Sequence, residues 1–224
     1  MTTARELSHD PELADWRVLL GRLHARFTTG AGGFGAGAEF VSRVAARADQ
    51  LDHHPDIDLR YPHVTVTTVS HDVGRLTGRD RRLALVISEI AAELGMAAVP
   101  DQLSVLEIGL DVMVAGDVAP FWRAVLGYQP EAEGTEDDCL VDPATRNAAL
   151  WFQQMDEPRT ERGRFHLDIT VPHDVAEQRL ADALAAGGRL ITDEFAPSWW
   201  VLADAEGNEV CICTWQGRGE DGAP

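Results

Sequence analysis

The residues best suited to chemistry are three histidines framed by carboxylates, in the pattern Asp49-x3-His53-His54-Pro55-x5-Tyr61-x9-His71-x8-Asp80. Imidazole has an unperturbed pKa near physiological pH, so neighbouring imidazoles can give one proton and take another in the same turnover. Six of the eight histidines (His9, His24, His53, His54, His63 and His71) precede residue 100. Acid–base catalysis is therefore the first reading, and two others compete with it. Three imidazoles around an open position is a catalytic zinc pattern, although adjacent His53 and His54 would point to different sides of an extended chain. The cluster could also be structural, and His24 and His63 are read as ordinary surface residues.

Those side chains act together only if the backbone brings them together. Phe40, Val41, Val44, Ala45 and Ala48 recur at helical spacing after the Gly-rich segment 30–37, which predicts an amphipathic helix leading into the histidines. Segments 57–61 and 64–69 alternate as half-buried strands do, with a break at Tyr61-Pro62-His63. Antiparallel pairing would join the open ends of these strands and set His71 across one pocket from His53 and His54, with Tyr61 and Asp80 as orienting groups. Thr77 can cap a second helix, whose apolar stripe is Leu83, Ala84, Val86, Ile87, Ile90, Ala91 and Leu94, ending at Gly95. Residues 96–102, which include Pro100, read as a linker.

Within this stretch His53-His54-Pro55-Asp56, Tyr61, Val64-Thr65-Val66, Ser70-His71-Asp72 and Leu76-Thr77-x-x-Asp80-x-x-Leu83-Ala84 resemble the pterin-4a-carbinolamine dehydratases. A looser resemblance runs from Trp16 through Gly95. It implies dehydration of 4a-hydroxytetrahydropterin to quinonoid dihydropterin, in which N5 loses a proton and the C4a hydroxyl leaves as water. No metal or redox cofactor is implied. The resemblance makes His53, His54 and His71 the catalytic set, with His54 and His71 sharing the proton transfers and His53 positioning the ring. Asp49, Asp56, Tyr61 and Asp80 would bind or support the pterin substrate. Two positions depart from the pattern: the family's usual glycine pair before Leu-Thr reads Gly74-Arg75, and 28–37 is richer in Gly. Arg75 could alter access to the pocket or pair with an acid.

Length and charge suggest a second unit. A chain of 224 residues exceeds the usual domain of roughly 100 to 150, and domains are expected at 1–98 and 104–217. Residues 1–100 carry 11 Arg against 13 Asp+Glu, a net of −2, whereas 101–224 carry 8 Arg against 24, a net of −16. So acidic a second half repels nucleic-acid phosphates and anionic lipid, so neither nucleic acid nor membrane is an expected partner. No apolar run nears the roughly 20 residues that span a bilayer, and no basic-then-apolar leader opens the chain, which reads as cytoplasmic. Three cysteines, Cys139, Cys211 and Cys213, are an odd number and argue against a secreted disulfide framework.

The second half repeats itself weakly at an offset of 57: Leu110-Asp111-Val112-Met113-Val114 against Leu167-Asp168-Ile169-Thr170-Val171. Each copy reads as a strand, a helix (120–126; 175–186), a Gly turn and further strands, giving paired β-α-β-β modules joined by a charged connection at 154–164. With Phe121-Trp122-x3-Leu126-Gly127-Tyr128 and Asp204-x2-Gly207-Asn208-Glu209, residues 106–215 resemble the glyoxalase-like members of the vicinal-oxygen-chelate superfamily. The resemblance places metal ligands on the opening and closing strands. Here His166 holds one slot, Gly109 or Leu110 its counterpart, and Cys211 the closing position, so no metal is expected. Trp122, Trp151, Trp199 and Trp200 could line an apolar ligand cup with His166, or could be core.

The fold class expected is α+β: an antiparallel N-terminal sheet with helices on one face, followed by the paired modules. The leading function is a homo-oligomeric 4a-hydroxytetrahydropterin dehydratase. Three alternatives stay open. One is a catalytically silent scaffold, another a glyoxalase-like lyase, dioxygenase or small-molecule binder acting through the second half. The third is a regulatory module that dimerises through the apolar helix 83–94.

Overall fold

The computed structural model describes residues 4–132, 134, 138–159, 161, 163 and 165–217. They fall into two compact units, Met1–Val105 and Leu106–Pro224.

The first unit runs α1 (Ala4–Ser8), β1 (Trp16–Leu19), β2 (Arg22–Thr28), α2 (Gly33–Leu51), β3 (Asp56–Leu59), β4 (His63–Thr68), α3 (Gly78–Glu93) and β5 (Ala97–Ala98). Its sheet is wholly antiparallel, in the order β1-β2-β4-β3 with β5 added to β2. Alternation decides its faces. Leu23, Ala25 and Phe27 of β2 and Val64, Val66 and Thr68 of β4 point inward and are buried, where Phe40, Val44 and Ala48 of α2 and Leu83, Ala84 and Ile87 of α3 pack on them.

Four features differ from the expectations. The Gly-rich segment is mostly helix: a Cβ at Gly37 would lie 2.5 Å from Leu59 Cδ1, so glycine there lets α2 press against the sheet. The β1–β2 hairpin turns through Leu20 and Gly21, both at positive φ, without the Asn-Gly signature that advertises such a turn. The supposed linker contributes β5, and Val99 N–H donates to the Arg26 carbonyl. The apolar stripe of α3 is spent on this unit's own core, with Leu83, Ala84, Ile87, Ile90 and Ala91 all buried, so it is not a free face for dimerisation.

His24 is also corrected, because it is not an ordinary surface residue. It lies on the sheet face opposite the helices, with Nδ1 3.0 Å from Thr67 Oγ1 and Nε2 buried without a hydrogen-bond partner. Burial pushes its pKa below 6.5 and the Arg22 charge adds to this, against an opposing backbone contact from Leu19. Below pH 6.5 the unfolded chain therefore binds more protons than the folded one. The stabilisation from a neutral His24 is complete above that value and is lost as pH falls towards the lowered folded pKa. Denaturant unfolding at pH 7.5 and 5.5 should show this loss, and His24→Asn should reduce it; an unchanged pH dependence in the variant would contradict the assignment.

The second unit contains β6 (Glu107–Val112), α4 (Ala115–Leu126), β7 (Gln129–Pro130), β8 (Cys139–Val141), β9 (Ala149–Gln154), β10 (Leu167–Thr170), α5 (Ala176–Ala185), β11 (Arg189–Thr192), β12 (Trp199–Ala203) and β13 (Glu209–Cys213). The paired modules are present, each with one strand more than expected: β-α-β-β-β. In both, the first strand lies parallel to the last, in the matching orders β6-β9-β8-β7 and β10-β13-β12-β11. Within the 154–164 connection, Thr160, Arg162 and Arg164 lie outside the described residues. Helix α4 starts five residues ahead of Pro120, and the residues that lead into it are held from afar: both Glu206 oxygens accept the Met113 N–H, and one also accepts the N–H of the N-cap Val114, at 2.8 to 2.9 Å. Among the described residues no helix is long and apolar enough to cross a membrane.

Candidate active site

The centre of the first unit's site is a buried carboxylate. Asp80 stands in the first turn of α3, where Thr77 and Asp80 form a capping box: the Thr77 N–H donates to Asp80 Oδ2 at 2.7 Å and Thr77 Oγ1 accepts the Arg79 N–H. The end of β4 supplies further donors. Thr68 Oγ1 is 2.9 Å from Oδ1, and Ser70 Oγ is 2.7 Å from Oδ2. His53, just beyond the C-terminus of α2, completes the set with Nε2 2.9 Å from Oδ1. Burial by itself would raise the Asp80 pKa. Hydrogen bonds from Ser70, His53, the Thr77 backbone and Thr68 outweigh it and hold the carboxyl below its ordinary 3.8.

This arrangement orients His53. A carboxylate oxygen only accepts, so Nε2 carries a proton and points it at Asp80. His54, the next residue, is exposed and turned the other way, with Nε2 3.0 Å from Asp49 Oδ1 in the last turn of α2. His71 is also exposed, in a turn closed by the Val73 N–H on the Ser70 carbonyl and by a bridge between Ser70 and Arg75. The start of β3 lies beside the end of β4, Asp56 opposite Thr67, so the three histidines belong to one end of the sheet. Asp56 is exposed there. The Asp72–Arg79 ion pair ties the His71 turn to α3. Arg75 is exposed.

Two expected substrate contacts are corrected. Asp80 has no exposed surface and both its oxygens are engaged, so it supports the histidines and cannot touch a ligand. Tyr61 lies in the β3–β4 loop, at the opposite end of these strands from the histidines; its ring covers Gly33, where a Cβ would meet the hydroxyl at 3.3 Å. Thr68, Ser70 and Thr77 were missed as functional residues. The motif contained Ser70 and Thr77, but a hydroxyl aimed at a buried carboxylate has no local signature.

In the second unit Trp122 and Trp200 are core, which corrects their place on a ligand cup. The Trp122 indole N–H donates to Asp204, itself fully buried and bonded to the backbone N–H groups of Glu206 and Asn208. Trp151 is the partly exposed one. Its ring lies over Gly109, the nearest ring atom 3.0 Å from where a Cβ would sit, so the slot that matches His166 in the repeat is filled by indole. His166, Asp168 and Cys211 do converge, with ligand atoms within 4.8 Å of one another; Asp168 is the donor that sequence reasoning missed. Three donors are the number a catalytic metal usually takes, so the expected shortfall of ligands is not what the structure shows. Burial and then the hydrogen bond to Asp168 push the Cys211 thiol up to about 12, the opposite of what a bound cation would do. Cys211 and Cys213 are buried and unbridged.

Comparison with known proteins agrees with the division into two units. Residues 2–90 match the family model "Pterin 4 alpha carbinolamine dehydratase", and residues 107–213 match "Glyoxalase-like domain". A Mycobacterium sp. (strain KMS) protein provisionally named a pterin-4-alpha-carbinolamine dehydratase is 44% identical over 80 residues, which is 36% of this chain and 83% of the relative. Among solved structures, a transcriptional coactivator/pterin dehydratase from Brucella melitensis is 26% identical over 35% of this chain and 83% of its own, with a TM-score of 0.33. A pterin dehydratase-like protein described as a RuBisCO assembly factor in the alpha-carboxysome is 21% identical (37% and 96% covered, TM-score 0.30). A glyoxalase-related enzyme from Fulvimarina pelagi is 17% identical (50% and 87% covered, TM-score 0.36). The chain belongs to the pterin-4a-carbinolamine dehydratase family through its first unit, which is joined to a glyoxalase-like domain.

Proposed function

We propose that the first unit dehydrates 4a-hydroxytetrahydropterins by acid–base catalysis from His54 and His71, with His53 positioning the pterin ring. The observation that carries this reading is the buried His53–Asp80 pair at the sheet end that also holds the exposed His54 and His71. One imidazole accepts the N5 proton and the other, protonated, delivers its proton to the C4a hydroxyl. The C4a–O bond breaks, a C4a=N5 double bond forms, and water leaves, so atoms and charge balance. Each transfer is worth about 10²- to 10⁴-fold.

Asp49 orients His54 through its 3.0 Å contact. We assign the glyoxalase-like unit to binding a small molecule beside the partly exposed Trp151, whose ring fills the Gly109 slot. The test is a crystal of the full chain soaked with a dihydropterin. The ring should sit among His53, His54 and His71, and density for it elsewhere, or an occluded pocket, would favour the scaffold alternative.

A further inference from the structure

Ser70 has a side chain and a backbone that act on different histidines. Its carbonyl accepts the Val73 N–H at 3.1 Å and its backbone bridges Arg75, which shapes the turn that begins with His71. Its hydroxyl is completely buried, 2.7 Å from Asp80 Oδ2 and 2.7 Å from Thr77 Oγ1. The other oxygen of the same carboxylate holds His53. The helix cap does not need this hydroxyl, because Thr77 and Asp80 complete the capping box between themselves. Ser70 reaches Asp80 from the end of a strand, not from the helix.

We propose that Ser70 is a positioning residue which, through Asp80, sets His53 and His71 relative to each other. This deepens the dehydratase reading and rests on it. The geometry makes one carboxylate the common reference for both imidazoles: Asp80 fixes the His53 ring by Nε2, and the Ser70 hydroxyl fixes the strand end from which His71 projects. The Ser70 proton goes to the carboxylate, so the Thr77 hydroxyl can donate to Ser70 Oγ in turn. Removing it takes a donor from a buried anion and loosens the turn. The titratable or charged groups near the carboxylate are His53, which hydrogen-bonds it, and Arg79, which is paired with Asp72 and influenced by Asp52. Ser70 heads the hydrogen bonds that offset the burial of Asp80.

The test uses the full chain with Ser70→Ala and Ser70→Thr, and reads two quantities. The first is the ¹⁵N shifts of the His53 ring, which report its tautomer without any need for turnover. In the wild type they should show a single Nε2–H form, which Ser70→Ala spreads towards a mixture and Ser70→Thr restores. The second is the pH profile of dehydration. Ser70→Ala should lower kcat by about 10- to 100-fold, the scale of small misplacements of catalytic groups, with KM little changed and the acid limb moved to higher pH. A folded Ser70→Ala protein with wild-type ring shifts and a wild-type pH profile would overturn the proposal. So would a loss confined to thermal stability. If ring shifts respond as expected but even the wild type has no turnover, the dehydratase reading fails while the positioning role stands. Should Ser70→Ala not fold, Ser70→Cys, which keeps a weaker donor, is read in the same way.

Discussion

His71→Ala should slow the dehydration of 4a-hydroxytetrahydropterin by about 10²- to 10⁴-fold at saturating substrate, the ordinary share of one general acid or base. The fold should not change. His71 is exposed in a turn whose shape is set by backbone hydrogen bonds at Ser70, and its side chain packs in no core. A surface truncation of this kind shifts stability by no more than about 0.5 kcal/mol. Stopped-flow decay of the carbinolamine measures the rate, and unfolding of the same preparation measures stability. Near wild-type turnover would remove His71 from the mechanism, whereas a loss of both rate and stability would make it structural.

Asp80→Ala should behave in the opposite way, costing stability and activity together. The substitution removes the common acceptor of His53, Thr68, Ser70 and the Thr77 N–H and leaves those buried donors unanswered. Each buried donor left without its acceptor costs about 1 to 3 kcal/mol, and loss of the helix cap adds to it. Denaturant unfolding with hydrogen exchange along α3 measures the loss; a cost within about 0.5 kcal/mol, the usual size for a neutral surface change, would contradict the hub. A pH signature separates this from a general packing defect. Because the Asp80 pKa is depressed, its stabilisation is present above the unfolded value of 3.8 and is lost as pH falls through the folded one. Asp80→Ala should lack that acid loss, while the separate loss from His24 below pH 6.5 remains.

The sequence revealed the parts of this molecule that repeat at short range. Strand alternation in 57–69, the stripe from Leu83 to Leu94, the Thr77 cap and the offset of 57 between the two modules all reflect periodicity or local hydrogen bonding, and each is found where the pattern puts it. Four things were not legible, three of them for a shared reason. Glu206 holds the residues that lead into α4 from 93 residues away, and nothing near Met113 announces it. Trp122 and Trp151 are the same residue type on neighbouring elements, yet one is buried against Asp204 and the other lies open over Gly109; that depends on which face each element turns inward. At the candidate site the histidine pattern was visible, but the division between the buried His53 and the exposed His54 and His71 came only from tertiary structure, as did the hydroxyls that hydrogen-bond Asp80. The β1–β2 hairpin hid behind an unusual turn, because Leu20 occupies a left-handed position normally given to Asn or Gly.

The most direct test of the central claim is the rate at which the purified full chain dehydrates 4a-hydroxytetrahydropterin, measured near pH 7 against the spontaneous reaction. The carbinolamine should be lost in a catalysed reaction, in proportion to protein, that falls back towards the spontaneous rate in His71→Ala. A wild-type rate indistinguishable from the spontaneous one, in protein whose α3 amides remain protected, would contradict it and leave the family fold serving as a scaffold.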